Sequence, residues 1–141
     1  MQDIILKGHK VSKGKAEGEA LVTRDPIAFF GGVRPEDGVV TDKSHELYGI
    51  SLAGKVLLFP QEKGSAGGSS QIYELMVCKT APLAMINLKA GSIVAVGAIS
   101  SSIPMMDKLV PDPFDHIETG DWVSLDADLG TVTVRKRGRT A

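Results

Sequence analysis

The 141-residue sequence predicts an α+β fold, rich in short strands with few helices, on three observations. Sixteen glycines are spread evenly along the chain with short Val, Ile and Leu runs between them, the pattern of many short strands joined by tight connections. Residues 119–135 alternate apolar and polar side chains on both sides of the turn Ala127-Asp128-Leu129-Gly130, a β-hairpin signature. Between residues 55 and 78 an apolar run leads through a Gly/Ser loop into a stretch with helical spacing.

In chain order, the first strands are expected at Ile4-Ile5-Leu6 and at Glu19-Ala20-Leu21-Val22. Pro26-Ile27-Ala28-Phe29-Phe30-Gly31-Gly32-Val33 follows, with two adjacent aromatics before a glycine pair where the backbone turns or approaches something closely. Residues 34–49 are polar and rich in turn formers, a surface excursion bearing a short strand at Val39-Val40. The next strand is 56–59. A helix is expected over 71–78: Ile72, Leu75 and Met76 share a face, Ser69 or Ser70 is the N-cap, Lys79 lies in the last turn and Pro82 marks the stop. Apolar segments at 83–86, 93–96 and 103–106 have the run length of buried strands. The hairpin completes the chain, and Asp121 beside it is given a structural role.

This length fits one domain, 1–141, with a core that needs neither disulfide nor metal. The formal net charge of −1 gives no electrostatic reason for a nucleic acid or an anionic membrane as partner, and neither is expected. The basic run Arg135-Lys136-Arg137-Gly138-Arg139 reads as a solvated end, with the tail 136–141 frayed, rather than as an anchor for acidic partners. A lone cysteine, Cys78, excludes an internal disulfide and a self-sufficient cysteine metal site. It reads as a small core residue on the apolar face of its helix rather than a reactive thiol. His9, His45 and His116 are scattered without ligand spacing, so no metal site is expected. No apolar stretch is long enough to cross a membrane and the N-terminus lacks a signal-peptide core, which points to the cytoplasm.

Potential chemistry concentrates in Pro60-Gln61-Glu62-Lys63-Gly64-Ser65-Ala66-Gly67-Gly68-Ser69-Ser70. A strand feeding a Gly/Ser loop that opens a helix presents backbone N–H groups and hydroxyls at a positive helix end. That suits a small anionic substrate or a reacting oxygen. The candidate binding residues are Lys63 for its charge, Gly64, Gly67 and Gly68 for close backbone approach or positive φ, and Ser69 as a cap or secondary contact. On residues alone, the simpler reading of Ser65 is a helix cap or a loop hydrogen bond.

Several segments together resemble the small, swivel component of aconitase X-type dehydratases. They are Gly14-Lys15-Ala16-Glu17-Gly18-Glu19-Ala20-Leu21-Val22, Pro26-Ile27-Ala28-Phe29-Phe30-Gly31-Gly32 and Gly54-Lys55-Val56-Leu57-Leu58-Phe59-Pro60. To these add Lys63-Gly64-Ser65 with Ser69, Thr80-Ala81-Pro82, Ala95-Val96-Gly97-Ala98-Ile99, Ile103-Pro104 and Thr119-Gly120-Asp121, in the family's order over nearly the whole chain.

The resemblance implies a swivelling β/β/α domain related to the mobile C-terminal domain of aconitase. It implies a partner too: a large aconitase X-type catalytic subunit that supplies the cysteine ligands of an iron–sulfur cluster and most of the substrate pocket. The small component binds no cofactor alone; it closes over the substrate and contributes a serine. In aconitase-like enzymes the matching loop reads Gly-Ser-Ser-Arg and its first serine takes the proton. The matching position here is Ser65, the expected catalytic residue. Ala66 and Gly67 stand where the second serine and the carboxylate-holding arginine would be, so the resemblance implies a hydro-lyase but not the aconitase reaction itself.

Two substrate classes come with the family. One is (R)-5-phosphomevalonate, dehydrated to an anhydro product in an isoprenoid (mevalonate) route by enzymes with separate small subunits. The other is cis-3-hydroxy-L-proline, more often linked with a fused chain, so the separate chain here favours the first. Phe29, Phe30 and Gly31-Gly32 line either the interface with the large subunit or the core. The ending, from Ile103-Pro104 to Gly130, also resembles the phosphohistidine swivel domain of phosphoenolpyruvate-utilising enzymes. That domain needs a histidine in its small-residue loop, where this chain has serines. A non-catalytic swivel binding module is the remaining alternative.

Overall fold

A computed structural model describes residues 3–137. Among them seven strands close into a barrel: β1 (Ile4–Ser12), β2 (Lys15–Val22), β3 (Val56–Leu58), β4 (Ala84–Ile86), β5 (Met105–Val110), β6 (Trp122–Asp126) and β7 (Thr131–Arg135). Their spatial order is β1-β5-β4-β3-β2-β6-β7. Neighbours from β2 through β3 and β4 to β5 run parallel, and the remaining pairs are antiparallel. Parallel neighbours require crossovers. Two of these are helices, α1 (Gly67–Val77) between β3 and β4 and α2 (Ser92–Ser100) between β4 and β5.

The central parallel strands, β3 and β4, are buried on both faces. Val56, Leu58, Ala84, Ile86 and Met106 pack inside the barrel with Leu6, Val123, Leu125, Val132 and Val134. Leu57, Phe59, Met85 and Met105 belong to a second cluster with Ile72 and Leu75 of α1 and Val94 and Ala98 of α2. Covered on both sides, β3 and β4 read as unbroken apolar runs, whereas β6 and β7 bury one face only and alternate. Each fully buried Leu, Ile or Met contributes about 2 kcal/mol by leaving water.

Several expectations need correction. The expected strand at 93–96 is the first half of α2. Its apolar run continues into Gly97-Ala98, small residues that let α2 press on α1. A Cβ on Gly97 would lie 2.7 Å from Ile72 Cδ1 and 3.3 Å from Ser69 Cα. α1 begins at Gly67 rather than 71, so Ser69 and Ser70 fall inside its first turn and neither caps it; the N-cap is Ala66. Cys78 is exposed, not in the core. The helix ends there, and Lys79 lies beyond it at φ +61 with its N–H on Met76 O (3.1 Å) and Thr80 N–H on Leu75 O (2.8 Å). This closure satisfies the last carbonyls and turns Cys78 outward. Val39 and Val40 make isolated bridges to Ser51 and Val33. Lys136 and Arg137 are held against Asp121 rather than frayed; the rest of the expected frayed tail, 138–141, lies outside the described residues.

Candidate functional site

β3 delivers the chain to one rim of the barrel, where residues 59–66 turn into α1. Phe59 is fully buried and meets Phe29 edge-on, ring centroids 5.9 Å apart. From there the loop is fastened on two sides. Leu88 N–H donates to Pro60 O (3.0 Å), and the Asn87 side-chain amide donates to Phe59 O (2.9 Å), tying the loop's root to the end of β4. On the opposite side Ile27 N–H donates to Gln61 O (3.3 Å) and Lys63 N–H to Ile27 O (2.9 Å), a short parallel bridge. Ile27 of the Pro26–Val33 segment therefore bridges to the loop, and Phe29 is the segment's buried anchor.

Gly64 then takes φ +64, a left-handed conformation that glycine adopts at little cost. Ser65 follows, exposed, its carbonyl accepting Gly68 N–H at 3.0 Å as α1 starts. No side chain caps α1 and no acidic residue lies in its first turn, so its positive end faces whatever approaches Ser65. Lys63 is exposed two residues away. It stands near enough to Asp42 to act on that carboxyl, held below the usual range chiefly by the Ser44 hydroxyl and N–H, with Lys63 a smaller influence.

The two helical glycines serve close approach, not positive φ. A Cβ on Gly67 would lie 2.6 Å from the ring of Phe30, and one on Gly68 3.0 Å from Ile93 Cγ2. Ser69 is turned away from the loop's outer surface and donates its hydroxyl to Ile93 O at 2.6 Å. Phe29 and Phe30 part company: the first is core, the second 59% exposed over Gly67. The structure thus brings Lys63, Gly64, Ser65 and Gly67 to one open surface with Phe30, and turns Gly68 and Ser69 inward.

Sequence reasoning missed the groups that hold this surface. Glu62 Oε1 accepts Val94 N–H (2.9 Å) across 32 residues. Asn87 is fully buried behind the loop, and Asp107 accepts Ala90 N–H (2.9 Å) ahead of α2. Their partners are backbone groups, which leave no mark on composition; only the placement of Glu62 within the loop was a signal.

Ser65 stands on an open surface. Hollows of about 540 Å³ and 470 Å³ lie elsewhere, one at the Gly14–Pro104 end and one over β2, β6 and β7. Among the described residues no three His, Cys, Asp or Glu side chains converge as a metal site requires. Cys78 sits at the far end of α1, about 16 Å of helix from the loop. These residues do not fit an iron–sulfur cluster. No described helix is long and apolar enough to cross a membrane.

The family model for the aconitase X swivel domain matches residues 5–134. The chain is 51% identical over 127 residues to the phosphomevalonate dehydratase small subunit of Methanocella arvoryzae, covering 90% of this chain and 96% of that one. It is 48% identical over 133 residues to the protein of the same name from Thermococcus kodakarensis, covering 94% and 98%. The crystal structure of Thermococcus kodakaraensis aconitase X in its holo form superposes with a TM-score of 0.89 at 47% identity, covering 94% of this chain and 99% of that one. A solution structure of a UPF0107 protein gives 0.85 at 40% identity, covering 94% and 100%.

Proposed function

The chain belongs to the aconitase X swivel-domain family, and on that premise we propose that it is the small subunit of a phosphomevalonate dehydratase, with Ser65 as the base. The observation that carries the first half is its near-full-length likeness to such small subunits. What supports the second is an uncapped helix end, a lysine and an exposed serine gathered on an open surface. A surface of that kind completes a pocket built by another chain, here the large subunit, and Phe30 beside Gly67 belongs to the contact region.

Dehydration of a β-hydroxy acid breaks a C–H bond next to the carboxylate and a C–O bond one carbon on, forms a C=C bond and releases water. The Ser65 Oγ takes the proton. A serine oxygen is a weak base unless its anionic form is stabilised, and the amides of α1's first turn with the Lys63 ammonium supply the positive field. Lys63 and the loop amides also suit the substrate's phosphate or carboxylate. Departure of the hydroxyl is left to the large subunit, the expected holder of an iron–sulfur cluster, because this chain has one cysteine. The cytoplasm is the compartment this reading implies.

The test is anaerobic co-expression with the large subunit and a dehydration assay on phosphomevalonate, with cis-3-hydroxy-L-proline alongside. Turnover of phosphomevalonate is expected, and Ser65→Ala should lower it by about 100-fold or more while the subunits still co-elute. Wild-type turnover in Ser65→Ala removes the serine base; turnover of the proline substrate instead changes the substrate class.

A further inference from the structure

We infer that Glu62 is a positioning residue for Ser65, acting by plugging the N-terminus of α2; the inference rests on the serine reading above. A helix start leaves backbone N–H groups without partners, and carboxylates are favoured there. α2 has Gly91 as its N-cap and no capping side chain of its own. The partner comes from the site loop, as Glu62 Oε1 accepts Val94 N–H at 2.9 Å.

Gly91 is shaped to this contact. Its backbone (φ −84, ψ 168) is open to any residue, so conformation does not demand glycine. Space does: a Cβ would lie 2.3 Å from Glu62 Oε1 and 2.4 Å from its Cδ. The missing side chain is the seat of the carboxylate.

The same turn of α2 also holds the other flank of Ser65. Ser69 Oγ donates to Ile93 O at 2.6 Å, one residue before Val94. Three residues ahead of Ser65 and four behind it, the loop is thus referenced to two adjacent residues of a different helix. The plug also divides labour between the two helix ends at this rim. The positive end of α2 is occupied by Glu62, which leaves that of α1 for the substrate.

A double-mutant cycle in the two-subunit enzyme tests this. Glu62→Ala should lower kcat by about tenfold to a hundredfold, with a smaller change in KM. Glu62→Gln keeps an acceptor oxygen and should recover most of the rate. Gly91→Ala evicts the carboxylate and should reproduce the loss, and the double variant should be no worse than the more damaged single one. Hydrogen exchange of amides 63–68 in the same complexes should accelerate wherever kcat falls. Near wild-type kcat in Glu62→Ala or Gly91→Ala, additive losses in the double variant, or unchanged exchange overturns the inference. A fully active Ser65→Ala ends the serine reading alone, because exchange still reports whether Glu62 holds the loop.

Discussion

Asp121 is 1% exposed and accepts three hydrogen bonds, from Glu118 N–H (2.8 Å), Arg137 N–H (2.8 Å) and the Lys136 ammonium (2.6 Å). Burial pushes its carboxyl up, but the bonds from Arg137, Lys136 and Glu118 outweigh this and hold it below the ordinary 3.8. Burial likewise pushes Lys136 down, and its bonds to Asp121 and Glu118 bring it above the ordinary 10.5. The stabilisation from Asp121 is therefore present above pH 3.8 and lost as pH falls through the lower folded value. That from Lys136 is present below pH 10.5 and lost as pH rises beyond it. Asp121→Asn should cost about 2 kcal/mol in urea unfolding at pH 7, because the Lys136 ammonium loses its buried carboxylate and keeps only the exposed Glu118 and the His116 carbonyl. The deficit should close as the pH is taken below 3.8; a pH-independent difference would show that packing, not charge, sets it. A structural role for Asp121 was legible from its place beside the hairpin. Its partner was not, since a lysine in a basic terminal run looks like any solvated lysine until the chain folds back. Glu62 was hidden in the same way, its partner being a backbone N–H far along the chain.

At the scale of elements, the crossing of α1 and α2 depends on Gly97, where Ile72 and the Ser69 backbone leave no room for a larger residue. Gly97→Val should destabilise the fold by about 1–3 kcal/mol through overpacking, read as a lower urea midpoint with an unchanged slope. No loss of stability would mean that the helices can part without cost. The segment carrying Gly97 is also where the sequence misled. Ile93-Val94-Ala95-Val96 is a continuous apolar run, and such a run looks the same in a buried strand and in a helix with little polar surface. Val96 and Ile99 remain more than half exposed, so α2 shows no amphipathic period to betray it. The hairpin was legible for the opposite reason. β6 and β7 bury Val123, Leu125, Val132 and Val134 on one face only, and Gly130 at φ +75 closes the turn between them. The strand before the site loop was equally plain. The start of α1 was misplaced because serines at 69 and 70 outbid Ala66 as apparent caps, while the hydroxyl of Ser69 was engaged by α2.

Across the whole molecule, the parallel strands bring the starts of both helices to the same rim as the Ser65 loop, where ligands of open α/β sheets also gather. The general architecture was readable from glycine spacing and run length; closure into a barrel was not, because β1 pairs with both β5 and β7 and nothing local announces it. With one cysteine in 141 residues, the isolated chain should be colourless after anaerobic purification, and colour should enter only with the large subunit. A brown isolated protein with stoichiometric iron would contradict that division. The fastening of the loop has a kinetic corollary. Bonds from residues 61–63 and 69 to Ile27, Ile93 and Val94 fasten the loop on both sides of the serine. For the proposed small subunit, admitting substrate and letting product go would then fall to movement of the whole domain rather than of the loop. On the proposed reading, the pace of opening is set by how firmly the domain and the large subunit grip each other, and a tighter interface between them should slow turnover.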